Sequence, residues 1–449
     1  MPDMVGMGGG ATIFALASGP GTGAVAIVRV SGTLAGAALI SLCGVDSLPP
    51  ARRLHLALLR DGITGEHLDQ ALIAWFPGPH SYSGEDMAEF QVHGGRAVVD
   101  SVLSALARLE RCRPAEAGEF TRRAFLNGRL DLTAAEGVGD LIEAQTAGQR
   151  RQALNQASGG LAVLYEGWRS ALLDAAVQFE AAIDFSDEAD IPAAALDEGS
   201  RRVSALALEI RHHLEGARRG ERLRDGLMVT ILGAPNVGKS SLLNWLAGRD
   251  AAIVAETAGT TRDVVEVQMD LDGLPVTIAD TAGLRAAGDA VEAEGVRRAL
   301  ARADSADIQL LVWDAARPET RAVALGVRGQ GPALLVRNKC DLGEGPFGAE
   351  GDVSVSAQSG AGMADFVTQV TAEAAALVGD GRESVPTRLR HRMALETCLS
   401  ALERVVGVGL PELQAEEVRL ALHALGRLTG RIDVEEVLDR IFAGFCIGK

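Results

Sequence analysis

One run of this chain has glycine, lysine and serine spaced to cradle phosphate: Gly233, Ala234, Pro235, Asn236, Val237, Gly238, Lys239 and Ser240. The glycines let the backbone curl until its N–H groups converge on an anion. The contacts expected from this loop are Asn236, Val237, Gly238, Lys239, Ser240 and Ser241. Lys239 would bring a point charge to the outer phosphates, and the Ser240 hydroxyl would ligate Mg²⁺. The context fits, since Leu227 to Leu232 has the pattern of a strand and Ser241 to Leu246 that of an opening helix. The competing reading is a glycine-rich turn without function.

Three further pieces count against that competitor. Asp280, Thr281, Ala282 and Gly283 follow the apolar strand Val276 to Ala279. A carboxylate there can hold Mg²⁺ through water while the Gly283 N–H faces the terminal phosphate. Asn338, Lys339, Cys340 and Asp341 end the strand Ala333 to Val336. The Asp341 carboxylate can accept from the N1–H and exocyclic amine of guanine, a donor pair that adenine lacks, so the site selects GTP over ATP. Ser356, Ala357 and Gln358 follow the strand Val353 to Val355, where a backbone N–H can close on the base oxygen. Singly each is weak. In this order, each at a strand end, they imply a guanine-nucleotide hydrolase.

The hydrolytic apparatus departs from the Ras pattern, which sets a water-orienting Gln just after the Asp-x-x-Gly motif. Leu284 stands there and cannot orient water. Glu292 and Asp289 are the acidic candidates, against the simpler reading of both as solvated charges. Ala255 to Asp263 has the composition of a switch loop, with Thr261 as a second Mg²⁺ ligand. An arginine finger or a cation must neutralise the terminal phosphate. Asn236 could offer its amide oxygen to a monovalent cation.

These motifs need strands that end at one edge. From about Leu227 to Val378 apolar strands alternate with helical segments, the pattern of a parallel sheet covered by helices. Before it, Ala11 to Leu16, Ala24 to Val30, Ala71 to Phe76 and Met87 to Val92 are strand-like, and Val98 to Leu109 has helical spacing. Leu154, Leu161, Leu164, Trp168, Leu172, Ala176, Phe179 and Ile183 mark one face of a long helix, broken at Asp184 to Pro192. A second helical run spans Asp197 to His213. Val418, Leu422, Leu425 and Leu428, then Val434 to Phe442, mark two more helices. The fold class is therefore α/β plus all-α, with the nucleotide domain readable as an insertion between two halves of a helical domain.

Composition limits the partners. A formal net charge of −17 argues against non-specific coating of nucleic acid. Any RNA would need a local basic patch, and Arg218, Arg219, Arg222 and Arg224, or Arg388, Arg390, His391 and Arg392, are candidates against the simpler reading of solvated helix ends. Cys43, Cys112, Cys340, Cys398 and Cys446 have no paired spacing, so neither a disulfide framework nor a zinc site is expected, and a reducing cytoplasmic setting fits. No apolar run is long enough to span a bilayer, and no secretory leader is evident.

The chain resembles the MnmE (TrmE) family of tRNA-modification GTPases over essentially its whole length. The likeness rests on the stretches Gly23 to Gly32, Phe76 to Asp86, Gly118 to Asn127, Gly259 to Asp263 and the terminal Phe445, Cys446, Ile447, Gly448 and Lys449. It implies residues 1–129 as a domain that binds a tetrahydrofolate derivative (5-formyl or 5,10-methylene) and dimerises. It further implies a helical domain in two halves, 130–225 and 376–449, and a G domain at 226–375. GTPase activity would be switched on by K⁺-dependent G-domain dimerisation. The K⁺ ligands carried over are Asn236, the carbonyls of Ala255 and Thr257, and Thr260, within a nucleotide-contacting loop of Ala255, Glu256, Thr257, Ala258, Gly259, Thr260 and Thr261. Glu292 matches the family's water-orienting glutamate, which sets it above Asp289. Arg262, Asp263 and Arg285 match switch residues. Arg29, Glu89, Arg129 and Lys449 match the folate contacts, with Arg129 standing where relatives carry Lys. Read without the family, Arg29 and Glu89 would be a structural ion pair. Cys446 is the candidate for a thiol role, against the commoner reading of a small buried cysteine.

By the same resemblance the protein is a homodimer that joins the FAD-containing MnmG (GidA) in a heterotetramer or larger, and together they place an aminomethyl-type group on C5 of the wobble uridine of tRNA. Two other classes compete: a regulatory or ribosome-assembly GTPase without modification chemistry, and a methyl or formyl transferase with a decayed G domain. The intact motifs count against the second.

Overall fold

Apolar residues at every second position make strands with one packed and one wet face, and the N-terminal third repeats that period. The computed structural model describes residues 10–19, 21–185, 191–249, 251–253, 266–280, 304–342, 351–379, 381–432 and 435–448. They divide into two compact units. One takes the described residues up to Gly139 with those from Leu425 onward, and the other runs from Asp140 to Ala424.

The first unit begins with β1 (Thr12–Leu16), β2 (Gly23–Ser31), α1 (Ala35–Cys43), β3 (His55–Arg60), β4 (His67–Phe76), β5 (Met87–Gly94), α2 (Arg96–Ala107) and β6 (Cys112–Pro114). The six strands form one sheet in the order β3-β4-β5-β2-β1-β6. Only β6 runs parallel to its neighbour. Val28, Val30, Phe90 and Val92 of the sheet pack against Leu39, Leu42, Val102 and Leu106 of α1 and α2. Each such side chain contributes roughly 1.5–3 kcal/mol when fully buried. The four expected strands and the expected helix all form. Strand β3 escapes the pattern because it is an edge strand whose Leu56 and Leu58 face outward. Helices α3 (Glu119–Leu126) and α4 (Leu132–Glu143) follow.

The second unit opens with α5 (Ala147–Ala157), α6 (Gly160–Asp184), α7 (Ile191–Glu215) and α8 (Ala217–Asp225). The single helix expected through Leu154 and Ile183 is in fact two. The break falls at Ser158 and Gly159, and Leu154 on α5 is exposed. The seven-residue step from Leu154 to Leu161 matches helical spacing across a boundary that periodicity does not register. The buried stripe on α6 is Leu161, Tyr165, Trp168, Leu172, Ala175, Phe179 and Ala182. Its alternating steps of four and three suit a close antiparallel partner. That partner is α7, with Trp168 Nε1 donating to Glu209 at 2.9 Å and Arg202 lying 3.6 Å from Asp174.

One polar group in this packing has a measurable consequence. His213 lies edge-on to Tyr165 and Trp168, with Tyr165 Oη 3.3 Å from its Nε2. Burial, then the nearby His391 and His212, depress its pKa from 6.5 to about 4. The folded state therefore favours neutral His213, and its stability is full above about pH 6.5 and is lost as pH falls toward 4. Between pH 7.5 and 5 the unfolding free energy should drop by about 2 kcal/mol from this group. The check is urea unfolding of the full chain and of His213→Gln, which cannot titrate and should lose that part of the pH dependence.

The chain continues with β7 (Leu227–Leu232), α9 (Lys239–Ala247), β8 (Ala252–Ile253), β9 (Glu266–Leu271), β10 (Leu274–Asp280), β11 (Ile308–Asp314), α10 (Glu319–Gly326), β12 (Ala333–Asn338), β13 (Val353–Ser354) and α11 (Met363–Val378). The sheet order is β13-β12-β11-β7-β10-β9-β8. The first five strands are parallel, and β9 and β8 add an antiparallel edge. Leu242, Leu246, Phe366 and Val370 of α9 and α11 fill the core on one face. Ala324 of α10 packs with Leu311 and Trp313 on the other. Helix α12 (Leu389–Gly407) returns to α7, where Arg211 meets Glu403 at 2.7 Å, and Arg419 of α13 (Pro411–Thr429) meets Glu180 of α6 at 2.5 Å. The last helix, α14 (Glu435–Ala443), lies in the first unit, where Leu438 and Phe442 pack on Leu132 and Ala135.

Candidate functional site

Strand β7 is buried along almost its whole length because parallel strands flank it on both sides. Registers align the strand ends: Asp280 lies opposite Ile231, and Asp314 opposite Asn338. The phosphate loop, Asp280, Asp314, Asn338 and Ser356 therefore gather at one carboxyl edge, where open α/β sheets bind ligands. Two glycines make the loop's path possible. A Cβ at Gly233 (φ +147°) would fall 2.2 Å from Val312 O, and one at Gly238 (φ +95°) would fall 2.2 Å from Asn338 Nδ2.

The loop is held by its carbonyls. Lys239, nearly buried, donates Nζ to Gly233 O and Ala234 O, both at 2.9 Å. Asn338 Nδ2 donates to Val237 O at 2.8 Å. Lys339 Nζ donates to Asn236 O at 2.9 Å, and Arg317 Nη2 to the same oxygen at 3.2 Å. In a planar trans peptide the C=O and the following N–H point opposite ways. Turning the carbonyls of Asn236 and Val237 into the protein thus aims the N–H groups of Val237 and Gly238 to the other side, as an anion nest requires. Asn236 (φ +62°) and Lys339 (φ +61°) adopt left-handed backbone, a strain commonly stored at functional sites.

Sequence reasoning missed Asp314 and Arg317. Asp314 ends the fully buried strand β11 and is 2% exposed. Burial opposes its charge, but bonds from Lys339, the Ala316 N–H and Arg317 prevail and hold its carboxyl below the usual range. A lone carboxylate closing an apolar run was the available signal.

The residues expected to read the base lie alongside. The Cys340 N–H donates to Val355 O at 3.1 Å and the Leu342 N–H to Lys339 O at 3.0 Å, which fixes the peptides around the exposed Asp341. Ser356 is buried, and the Ala357 N–H donates to Asn338 Oδ1 at 3.2 Å. Gln358 is exposed beside it, as are Ser240 and Ser241 at the start of α9. Of Asp280 only the backbone is described, at the end of β10. Ala255 to Asp263, Thr281 to Gly283, Leu284, Arg285, Asp289, Glu292 and Lys449 lie outside the described residues.

In the first unit, Arg29 and Glu89 are cross-strand partners on β2 and β5. Arg29 Nε and Nη2 donate to Glu89 Oε1 at 3.0 and 2.9 Å, and the guanidinium sits over Tyr82 and Phe120. Each keeps 17% side-chain exposure, so a ligand would share the pair rather than meet free groups. Arg129 is exposed, and its N–H donates to Ala124 O at 2.8 Å. The chain end returns to the same unit: Ile447 bridges Ala117, and the Gly118 N–H points to Cys446 O. Cys446 is exposed, against the buried reading, because it sits on this surface-lying tail. Burial pushes the Cys43 thiol up to about 11 and Cys398 to about 12, leaving both inert.

The two basic segments are not free patches. Arg219 pairs with Glu383, Arg222 with Asp307, Arg224 and Arg388 with Asp140, and Arg392 with Glu221. His391 is fully buried. These residues tie α8 and α12 to their neighbours, which a one-dimensional charge count does not reveal. Among the described residues no helix is long and apolar enough to cross a membrane, and no His, Cys, Asp and Glu cluster could hold a metal.

A family model described as "MnmE helical domain" matches residues 132–446, and one described as "GTP-binding protein TrmE N-terminus" matches residues 12–129. The tRNA modification GTPase MnmE of Methylobacterium radiotolerans is 52% identical over 443 residues, covering 98% of this chain and 99% of that protein. The protein of the same name from Paramagnetospirillum magneticum is 52% identical, again over 98% and 99%. That from Maricaulis maris is 51% identical over the same shares, 98% and 99%. Among solved structures, the G domain of the T. maritima FeoB iron transporter is similar at a TM-score of 0.27 and 24% identity, covering 33% of this chain and 98% of that one. With two family models running from residue 12 to residue 446 and relatives half identical along nearly its whole length, the chain belongs to the MnmE (TrmE) family of tRNA modification GTPases.

Proposed function

We propose that this chain hydrolyses GTP as one half of a machine that modifies C5 of the wobble uridine in tRNA. The observation that carries the reading is the tie between phosphate loop and base motif, in which Asn338 and Lys339 hold Val237 and Asn236 at one sheet edge. The donors fit Mg²⁺, a hard cation that takes oxygen ligands: the Ser240 hydroxyl opens α9 beside the end of β10, where Asp280 stands. Mg²⁺ held there would supply positive charge to offset that of the phosphates. Lys239 would move from its own loop carbonyls to phosphate oxygens, and Asp341 would orient the base.

K⁺ would replace an arginine finger, held by Asn236, Ala255, Thr257 and Thr260, with Glu292 orienting water as two G domains meet. Asn236 is exposed on the loop, where a second copy could reach it. A homodimer through the first unit is supported by an uncovered apolar sheet face: Leu56 lies opposite Leu72, and both are exposed with Leu54 and Leu58. For the folate one-carbon donor, Glu89 suits pterin donors, and Arg29, Arg129 and Lys449 suit an anionic tail. The FAD-containing MnmG would supply the redox half of the reaction, in the cytoplasm.

Mass spectrometry of wobble uridine tests the whole reading. In tRNA from a strain lacking this protein the C5 aminomethyl-type groups should vanish. A normal nucleoside profile would leave a GTPase without modification chemistry.

A further inference from the structure

Four cationic ties hold the Asn236 carbonyl and the Asp314 carboxylate, and of the two cations only Lys339 belongs to a recognised motif. Arg317 makes the other two. Its Nε and Nη2 both lie 3.1 Å from Asp314 Oδ2, and Nη2 also reaches Asn236 O at 3.2 Å. Lys339 Nζ spans the same two acceptors, at 2.7 and 2.9 Å. The Ala316 N–H completes the set on Asp314 Oδ1 at 3.0 Å. Asp314 is nearly fully buried, so it gives both cations a fixed anchor. Thr320 fixes the turn that presents Arg317, its Oγ1 donating to Arg317 O at 2.7 Å and accepting from the Asp314 N–H at 3.0 Å.

We propose that Arg317 is a positioning residue for the nucleotide: anchored on Asp314, it pins the Asn236 peptide and so aims the Val237 N–H at the phosphates. A planar fork can serve a carboxylate and a carbonyl together, which a single ammonium on a flexible stem does less well. Left-handed Asn236 needs such a restraint, because without bound nucleotide little else opposes relaxation of a strained peptide on an exposed loop. Lys339 alone would leave one donor where the structure has two. The inference rests on the nucleotide reading of the loop and needs no cation.

The test is titration of the full-length protein with a fluorescent GDP, alongside thermal melting. Arg317→Ala should raise Kd about tenfold, the size expected for one charge-assisted hydrogen bond. Arg317→Lys should recover part of that loss, and Asp314→Asn, which keeps the shape and removes the anchor, should raise Kd at least as much. Arg321→Ala is the control. It removes a nearby two-bond ion pair, Arg321 with Asp352, that has no tie to the loop, so it should affect melting but leave Kd at the wild-type value. An unchanged Kd in folded Arg317→Ala or Asp314→Asn overturns the proposal. So does an equal rise in Arg321→Ala, which would mark general loosening. A wild-type chain that binds no guanine nucleotide would instead overturn the nucleotide reading itself.

Discussion

Asp341→Asn is expected to lower kcat/KM for GTP by about a hundredfold or more and to raise it for xanthosine triphosphate. A carboxylate accepts two hydrogen bonds, which matches the N1–H and 2-amino group of guanine. The amide offers one acceptor and one donor, which matches the N1–H and 2-oxo group of xanthine. The surroundings make this a clean exchange. Asp341 is exposed, and the peptides on either side are fixed by Val355 O and Lys339 O, so the loop should not need to rearrange. Steady-state hydrolysis of both triphosphates is the measurement. Equal loss on both would mean that the substitution damages the loop and that position 341 does not read the base.

Glu292→Ala is expected to cut kcat by a factor of about 10² or more while GTP binding stays near wild type, the size typical of a lost water-orienting or general-base group. Leu284 stands where a Ras-type enzyme has its Gln, and its side chain can neither donate nor accept. Asp289→Ala serves as the comparison and should retain most of the turnover. On the proposed reading that K⁺ takes the place of an arginine finger, hydrolysis should also be faster in K⁺ than in Na⁺. Full turnover in Glu292→Ala would move the water-orienting role elsewhere. Equal rates in the two salts would remove the cation from the mechanism.

The chemistry-bearing runs were legible because each is local. The phosphate loop, the strand before it and the helix after it lie within some twenty residues, and strand, turn and cap signals act over that range. The helices were legible by period but not by boundary. The step from Leu154 to Leu161 preserves helical spacing across the end of α5, so periodicity joined two helices that Gly159 separates. Strand β3 was missed because an edge strand with outward leucines has no alternating signature. Arg388 and Arg392 looked like part of a basic stripe, and only their buried-side partners Asp140 and Glu221 show them to be ties.

The sequence by itself determined the ligand class, since Lys239, Asn338 and Asp341 carry donor and acceptor types that suit a guanine nucleotide at any sheet edge. It also placed glycines where the loop's backbone must curl, though the neighbours that a side chain at Gly233 or Gly238 would strike, Val312 O and Asn338 Nδ2, are set by the tertiary structure. What only the tertiary structure decided is how the loop is held. Asp314 and Arg317 are near neighbours, but Asn236 lies some eighty residues before them in the chain, and no local signal pairs it with them. Parallel register brings the ends of β7, β11 and β12 level, and a buried carboxylate then gathers the cations that set the loop's peptides. Hydrogen bonds between distant residues follow from how strands align, which side-chain pattern along one strand does not encode.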